Sequence, residues 1–433
     1  MLETPESAVP DGPDSPPRTG TASLEPDRRR LWRPAARWGE LRSAAFVQGL
    51  RAALPAWIAA RVLVCGVSWF LYPRDPLNGL HMWDTKWYTV IEAEGGYRFR
   101  NLVHFFPLTP LVAHYAVLAL LLSPTANTLI AFCWIVALPY GATVYVLTLR
   151  EIGDRAAARR AAWLTQLIPG GFALVMGYTE PLAGLLAAGY FLAVRTPSLR
   201  RLSPAGAATV TGTAAATATA TAAHRATAIA AVAAPILGFL CGLARPTGAL
   251  IAIVGLTEGT REVRRAPHRA RVTAKALLAT IAPVAGLGSW LLYCQVRFHG
   301  WTLPFDEQLA SHNRGAIMND PLSTFTTMLH WSIQHQFVAY VAAILTLLAV
   351  ALLPALAWRL PVSYIAWTAP LLILAAGSNA FTSIARYVGE LFPLGMAAAI
   401  AARRRWQAAA LLAVCTVLLV VTTYQAFSGQ TVA

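Results

Sequence analysis

Long apolar segments separated by short polar ones follow one another along the chain, and most are long enough to cross a bilayer as a helix. A hydrocarbon core of about 30 Å needs roughly 20 apolar residues in helical form. The pattern predicts an all-α polytopic membrane protein with about eleven transmembrane helices, the N-terminus inside and the C-terminus outside. The predicted spans are 47–72, 126–149, 161–177, 180–195, 227–244, 247–260, 274–297, 337–358, 361–377, 386–402 and 406–426.

The polar segments complete the predicted organisation around a transmembrane domain. The N-terminal segment is rich in Pro, Asp, Ser and Arg, which is typical of disorder, and a later stretch is almost entirely Ala and Thr. The predicted regions are a disordered cytoplasmic tail (1–46), a transmembrane domain (47–426), a first outer loop (73–125), a cytoplasmic linker (203–226), a second outer loop (298–336) and an outer C-terminal tail (427–433).

Residues 104–122 are apolar enough to cross the membrane, but the charges of the following loops argue against a crossing. A crossing here would place the arginines of 150–160 and 261–271 outside, contrary to the positive-inside rule. Pro107 and Pro110 also suit a helix that lies on the membrane surface. We therefore expect 104–122 to contain a juxtamembrane helix of the first outer loop.

The composition agrees with a membrane protein and excludes several other classes. Hydrophobic residues make up 56% of the 433 residues, and only 13% are charged, about half the share usual in soluble domains. The net charge is +15, but the basic residues lie between apolar segments and indicate orientation, not a nucleic-acid surface. The five cysteines lie singly in apolar runs, so we expect no disulfide framework, and no spacing indicates a metal or cofactor.

The densest group of aromatic and charged residues lies in the first outer loop around Asp84. Trp83, Trp87 and Tyr88 flank this acid, and Lys86 lies between them. Aromatic rings line sugars and also lie at the level of lipid headgroups. A carboxylate that is partly desolvated among them has a raised pKa and is a better base. The alternative is an interfacial aromatic belt in which Asp84 is simply solvated.

Other candidate residues lie where predicted spans meet the outer surface. Arginines are uncommon there, so Arg245 and Arg386 are candidates for binding a lipid phosphate. His104 either binds a phosphate or lies among headgroups. Tyr178 and Glu180 join two spans, and Glu180 is either functional or only the cap of the following helix.

One charged residue, Arg61, lies near the middle of the first predicted span. A charge at that depth is a functional hypothesis by default.

These motifs follow a recognisable order over roughly residues 57–395. They are Trp83-Asp84, Trp87-Tyr88, Gly96-Tyr97, Phe105-Phe106-Pro107-Leu108, Tyr178-Thr179-Glu180, Arg245-Pro246-Thr247-Gly248, Arg386-Tyr387 and Phe392-Pro393. In this order they resemble the motifs of PIG-V-type mannosyltransferases, which are multispanning glycosyltransferases of the GT-C class. A second glycine before Tyr97 departs from the family pattern.

The resemblance implies a GT-C-like fold, a polyprenyl- or dolichyl-phosphate sugar donor, usually of mannose, and inverting transfer. It also implies an essential acid in the first outer loop, which maps onto Asp84. We therefore expect mannose transfer to an unidentified acceptor hydroxyl at the outer face of the plasma membrane, with Asp84 as the base and Arg245 on the donor phosphate. The other residues expected to bind the donor are Arg386, Lys86, His104, Trp83, Trp87, Tyr88, Tyr178, Glu180 and Arg61.

Two other classes of function remain open from the sequence. A flippase or transporter of lipid-linked sugars needs charged residues along a path through the membrane, and only Arg61 clearly lies that deep. A scaffold would bind its partners through the N-terminal tail. Neither function gives Asp84 an obligatory role.

Overall fold

A computed structural model describes residues 38–195, 213–265, 269–310, 318–333, 337–378 and 383–430. This part of the chain is all-helical and contains no strand, only one isolated bridge between Met318 and Ser378. Its α-helices are α1 (Trp38–Leu71), α2 (Asp84–Glu94), α3 (Leu108–Ala119), α4 (Ala126–Ile152), α5 (Arg155–Leu167), α6 (Glu180–Val194), α7 (Thr213–Ala244), α8 (Ala252–Val263), α9 (Arg269–Phe298), α10 (Leu303–Leu309), α11 (Pro321–Ile333), α12 (Phe337–Arg359), α13 (Val362–Gly377), α14 (Ile384–Glu390), α15 (Phe392–Ala401) and α16 (Arg405–Phe427).

Five helices of the described ranges are long and apolar enough to cross a membrane, which agrees with a membrane-embedded protein. A sixth crossing is possible if α14 and α15 form one span, although they bend by 74° at their junction. Shorter apolar helices, such as α6 and α13, occupy other predicted spans. The count of eleven crossings stays a prediction. The membrane-capable segments are Ala44–Leu71, Ala126–Ile152, Val272–Phe298, Phe337–Arg359 and Arg405–Phe427.

Besides 386–402, which is divided between α14 and α15, two predicted spans are not continuous α-helices. In 161–177, α5 ends at Leu167 and a 3-10 turn covers Pro169–Leu174. Proline disfavours the α conformation of the residue before it, and Ile168 is accordingly extended, with ψ 151°. In 247–260, a 3-10 turn likewise precedes α8. The first of these breaks places an irregular backbone segment beside the site described below.

Helices also extend into both predicted low-complexity regions. Helix α1 begins at Trp38, inside the predicted tail, and residues 1–37 lie outside the described part. Helix α7 begins at Thr213, inside the predicted linker, and residues 203–212 are likewise outside it. The alanine content of this stretch explains its helical backbone, because alanine has the highest intrinsic helix propensity.

The predicted first outer loop, 73–125, contains short helices that pack against longer ones. Helix α3 has 12 residues, so it is about 18 Å long and shorter than a bilayer crossing. The loop is tied to α9 by the Trp290 indole, which donates to the Val103 carbonyl at 3.1 Å. A short helix therefore lies where a juxtamembrane helix was expected, and its position relative to a membrane stays a prediction.

Helix α6 runs through the core and is held at both ends by buried charges. At its C-terminal end, Arg195 bonds to both oxygens of Glu151 at 2.7 and 2.8 Å and also pairs with Glu258. Ser363 donates to Glu258 at 2.7 Å. Its N-terminal end carries Glu180. An acid at the start and a base at the end complement the helix dipole, and the two ends lie about 22 Å apart.

Candidate functional site

Charged motifs that are far apart in the sequence converge on one buried ion-pair network. Arg386 Nη1 donates to Asp84 Oδ2 at 2.9 Å, and its Nε lies 3.2 Å from Glu180 Oε1. Arg245 Nη1 lies 3.0 Å from the same Glu180 oxygen and 2.8 Å from Glu390 Oε2. The network thus joins the start of α2, the start of α6, the residue after α7 and helix α14.

The charges of this network are removed from solvent and do not balance. Asp84 is 8% exposed, and Glu180 and Arg386 are 4% exposed. Three carboxylates face two guanidinium groups, which leaves one negative charge in excess when all are ionised. Burying charges is expensive even when they are paired. Clusters of this kind concentrate at functional sites, so the network is the candidate site.

The backbone before Asp84 is held in a strained conformation. Trp83 has φ 55°, in the left-handed region that bulky residues rarely adopt, at a cost of about 1–3 kcal/mol. Its indole Nε1 donates to the Ala426 carbonyl at 2.7 Å, at the end of α16. Asp84 then begins α2, and its N–H donates to Tyr178 Oη at 3.4 Å. Trp83 therefore acts as an anchor that aims Asp84.

Aromatic side chains enclose the network on the Asp84 side. The Arg386 guanidinium lies over the Tyr178 ring, 5.4 Å from its centre. Tyr88, one turn after Asp84, packs edge-on against Phe105 at 5.1 Å. Burial raises the pKa of the Tyr88 phenol, and the charge of Asp84 raises it further. The Tyr88 phenol therefore stays protonated near the acid.

On its other side, the network faces the irregular backbone of the broken span. Gly170 and Gly171 line a narrow cavity together with Tyr140 and Arg386. A Cβ atom on Gly170 would lie 2.0 Å from the Ala385 carbonyl oxygen. Only glycine permits such a close approach of two backbones.

The structure brings six of the residues predicted from the sequence together and leaves five elsewhere. Lys86 is exposed on the first turn of α2, and Trp87 is 46% exposed and stacked on Phe105 at 6.4 Å. His104 is half-buried with its ring 4.1 Å from that of Phe105. Trp83 and Arg61 make contacts with backbone carbonyl groups instead of the network. The six residues brought together are Asp84, Tyr88, Tyr178, Glu180, Arg245 and Arg386.

Glu390 belongs to the network, although the sequence motif around Arg386 assigned it no role. Its signal was its position four residues after Arg386, since residues so spaced share one face of a helix. In the described ranges, no group of three or more His, Cys, Asp or Glu side chains is arranged to hold a metal ion.

Fold and site together define an all-helical membrane protein with a buried charged centre. In fold it is similar to the archaeal oligosaccharyltransferase AglB from Archaeoglobus fulgidus, whose structure is a complex with an inhibitory peptide and a dolichol-phosphate. The two chains share 14% sequence identity with a TM-score of 0.45, and the similarity covers 88% of this chain and 56% of the other. It is also similar to the Archaeoglobus fulgidus oligosaccharyltransferase in complex with Zn and sulfate, with 14% sequence identity and a TM-score of 0.44. That similarity covers 87% of this chain and 53% of the other. The chain thus spans 56% and 53% of the length of these two proteins. No protein-family model and no curated protein matches it.

Proposed function

We propose that this protein is a GT-C-class glycosyltransferase that transfers mannose from a polyprenyl-phosphate donor to an acceptor hydroxyl, with inversion at the anomeric carbon. The supporting observation is the convergence of Asp84, Glu180, Arg245 and Arg386 on one buried network. Each comes from a different motif of the resemblance. Buried charges among apolar helices are retained where function requires them.

In the proposed reaction Asp84 is the general base. The acceptor oxygen attacks the anomeric carbon, its proton passes to the Asp84 carboxylate, and the bond from that carbon to the phosphate oxygen breaks. The base must be ionised and correctly placed before this step. Arg386, at 2.9 Å, stabilises its negative charge, while the Trp83 anchor fixes its direction.

The leaving phosphate takes the electron pair of the broken bond and needs positive charge nearby. Arg245 remains the first choice, because its side chain is 12% exposed whereas that of Arg386 is 4% exposed. Lys86 is exposed two residues after Asp84 and is a second cation for the phosphate. Arg386 then serves Asp84 instead of the donor.

The exposed ring of Trp87 offers a surface for a sugar. It lies three residues after Asp84 on the same helix, and Phe105 supports its other side. Aromatic rings present an apolar face of this kind. We assign this surface to the mannosyl group or to a glycan acceptor.

The alternative function is transport of a lipid-linked sugar. Arg61, the residue on which that alternative depended, is 5% exposed. Its guanidinium is bonded to Gln166 at 3.0 Å and to the Leu174 carbonyl at 3.0 Å, and these contacts support a role for Arg61 in packing.

The decisive experiment is an assay of the purified protein with radiolabelled polyprenyl-phosphate mannose and an extract of membrane lipids and proteins as acceptor. We expect labelled product from the parent and from Glu94→Gln, and none from Asp84→Asn. Glu94 is a matched control because it lies on the same helix and forms an ion pair at 3.9 Å with the exposed Arg98, which does not belong to the network. Equal product from Asp84→Asn would remove the proposed mechanism.

We further propose that the site faces the outer side of the plasma membrane, with the N-terminus in the cytoplasm. Single cysteines placed near Ser123, beyond α3, and near Gly153, after α4, should react with membrane-impermeant reagents from opposite sides. Labelling of the Gly153 position from outside intact cells would contradict this orientation.

A further inference from the structure

The 3-10 segment Pro169–Leu174 forms part of the wall of the candidate site. Gly170 of this segment lies against the backbone of α14 at Arg386, the residue that donates to Asp84. A Cβ atom on Gly170 would lie 2.9 Å from Arg386 Cα. A shift of this segment is therefore transmitted to Arg386 without any intervening side chain. Whatever fixes the segment also fixes the partner of the proposed base.

Side chains from three other helices hold the carbonyl groups of this segment and of the residue after it. Thr422 of α16 donates to the Pro169 carbonyl. The Trp134 indole of α4 donates to the Val175 carbonyl at 2.6 Å. Arg61 Nη2 of α1 donates to the Leu174 carbonyl at 3.0 Å. These bonds satisfy acceptors that a continuous helix would have satisfied itself.

Among these three donors, Arg61 is the charged one, and it makes several other contacts. Its Nη1 donates to Gln166 Oε1 at 3.0 Å and to the Trp57 carbonyl at 3.2 Å. Its guanidinium also lies 4.6 Å from the centre of the Trp57 ring. Gln166 in turn donates to the Ala137 carbonyl at 2.8 Å. Arg61 therefore joins α1, α4 and α5 to the irregular segment.

The partners of this buried cation are carbonyl groups, an amide and an aromatic ring. Within the described part of the chain no carboxylate lies within ion-pair distance of Arg61. A buried charge without a counter-charge is expensive, and a neutral side chain would be cheaper if filling space were its only purpose. The several donors of a guanidinium are what this group of acceptors requires.

We propose that Arg61 is a positioning residue for glycosyl transfer: by holding the Leu174 carbonyl and Gln166, it fixes the 169–174 segment against Arg386 and so keeps Arg386 on Asp84. This inference rests on the proposed function. It replaces the expectation that Arg61 binds the donor.

The test compares Arg61→Met and Arg61→Lys with the parent in detergent, by steady-state transfer kinetics and by hydrogen exchange of the amides of residues 170–176. We expect Arg61→Met to lower kcat by about 10- to 100-fold, as small misplacements of catalytic groups do, with the KM for the donor unchanged. Exchange in 170–176 should become faster. Arg61→Lys should restore part of kcat, because an ammonium group replaces some of the lost bonds.

Tyr190→Phe is the matched control for loss of a buried hydrogen bond. Its hydroxyl donates to the Ala279 carbonyl at 2.7 Å between α6 and α9, outside the network. This variant should leave both kcat and the exchange of 170–176 at parental values.

Two results would overturn the inference. One is parental exchange in 170–176 in Arg61→Met, and the other is a raised KM for the donor with kcat unchanged, which would indicate direct donor binding. A parent protein that transfers no sugar would contradict the proposed function alone, and the exchange data would still decide whether Arg61 holds the segment.

Discussion

The two members of the Asp84–Arg386 pair should respond differently to neutralisation, because the network carries one carboxylate in excess. Asp84→Asn removes the proposed base but leaves two carboxylates opposite two guanidinium groups. Arg386→Met leaves three carboxylates opposite Arg245 alone. The first change should therefore abolish transfer in a folded protein, whereas the second should also damage the fold.

The magnitudes follow from the contacts. Loss of a general base typically lowers the rate by ~100- to 10,000-fold. Asp84→Asn also weakens one charge-assisted bond, at a cost of about 1.5–3 kcal/mol, partly offset by relief of the excess negative charge. Removing Arg386 takes from Asp84 and Glu180, which are 8% and 4% exposed, the guanidinium that both contact, and removing one partner of a buried pair costs about 3–5 kcal/mol.

The assay measures transfer of radiolabelled mannose and thermal unfolding in detergent on the same preparations. We expect Tm to fall in the order parent, Asp84→Asn, Arg386→Met, with transfer absent from both variants. Asp84→Glu should also be strongly impaired, because it moves the carboxylate by one carbon–carbon bond and misplacement of about 1 Å costs ~100-fold. Near-parental transfer by Asp84→Asn would refute the base, and equal Tm values for the two variants would refute the charge argument.

Three further predictions concern the residues around the pair and the helix that carries Asp84. Arg245→Ala should raise the KM for the donor, with partial rescue by Lys, because a lysine lacks the bidentate fork; an unchanged KM would withdraw Arg245 from the phosphate. Glu180→Gln should lower the rate of transfer. The control is Glu258→Gln, which changes a buried carboxylate near the other end of α6 and should lower Tm but not kcat. Equal effects of the two substitutions on kcat would contradict the site. Glu92 is buried on α2, and burial raises its pKa from 4.5 to about 7. The folded state thus favours the protonated form of Glu92, and the stability that this provides is lost as pH rises from 4.5 through 7. When Tm is measured against pH, Glu92→Gln should flatten this part of the profile.

Most members of the site were predictable from the sequence, but Glu390 and the pairing of the charges were not. Asp84 was identified by the aromatic residues that flank it in the predicted first outer loop, and Arg245 and Arg386 by their positions at the outer ends of predicted spans. Nothing in the chain order indicates that Arg386 contacts Asp84, which lies 302 residues away. Glu390 shows the same limit, because its role depends on Arg245, a residue of another helix.

Hydropathy also concealed the break that shapes one side of the site. Residues 161–177 are apolar on average, and an average over that window does not register Pro169, Gly170 and Gly171. The partners of Arg61 could not be predicted for the same reason. The Leu174 carbonyl accepts its hydrogen bond within the segment that the break leaves irregular.

A single oxygen of Glu180 links the two arginines that the proposed reaction uses. Glu180 Oε1 lies 3.2 Å from Arg386 and 3.0 Å from Arg245, so each cation competes for the same negative charge. When Asp84 accepts the proton of the acceptor, it loses its charge, and Arg386 is left with Glu180 as its carboxylate partner. Glu180 would then attract Arg386 more strongly and Arg245 less strongly. This change would come when the leaving phosphate needs a cation. In the proposed reaction, the placement of Glu180 between the arginines would thus couple proton uptake at Asp84 to stabilisation of the phosphate at Arg245.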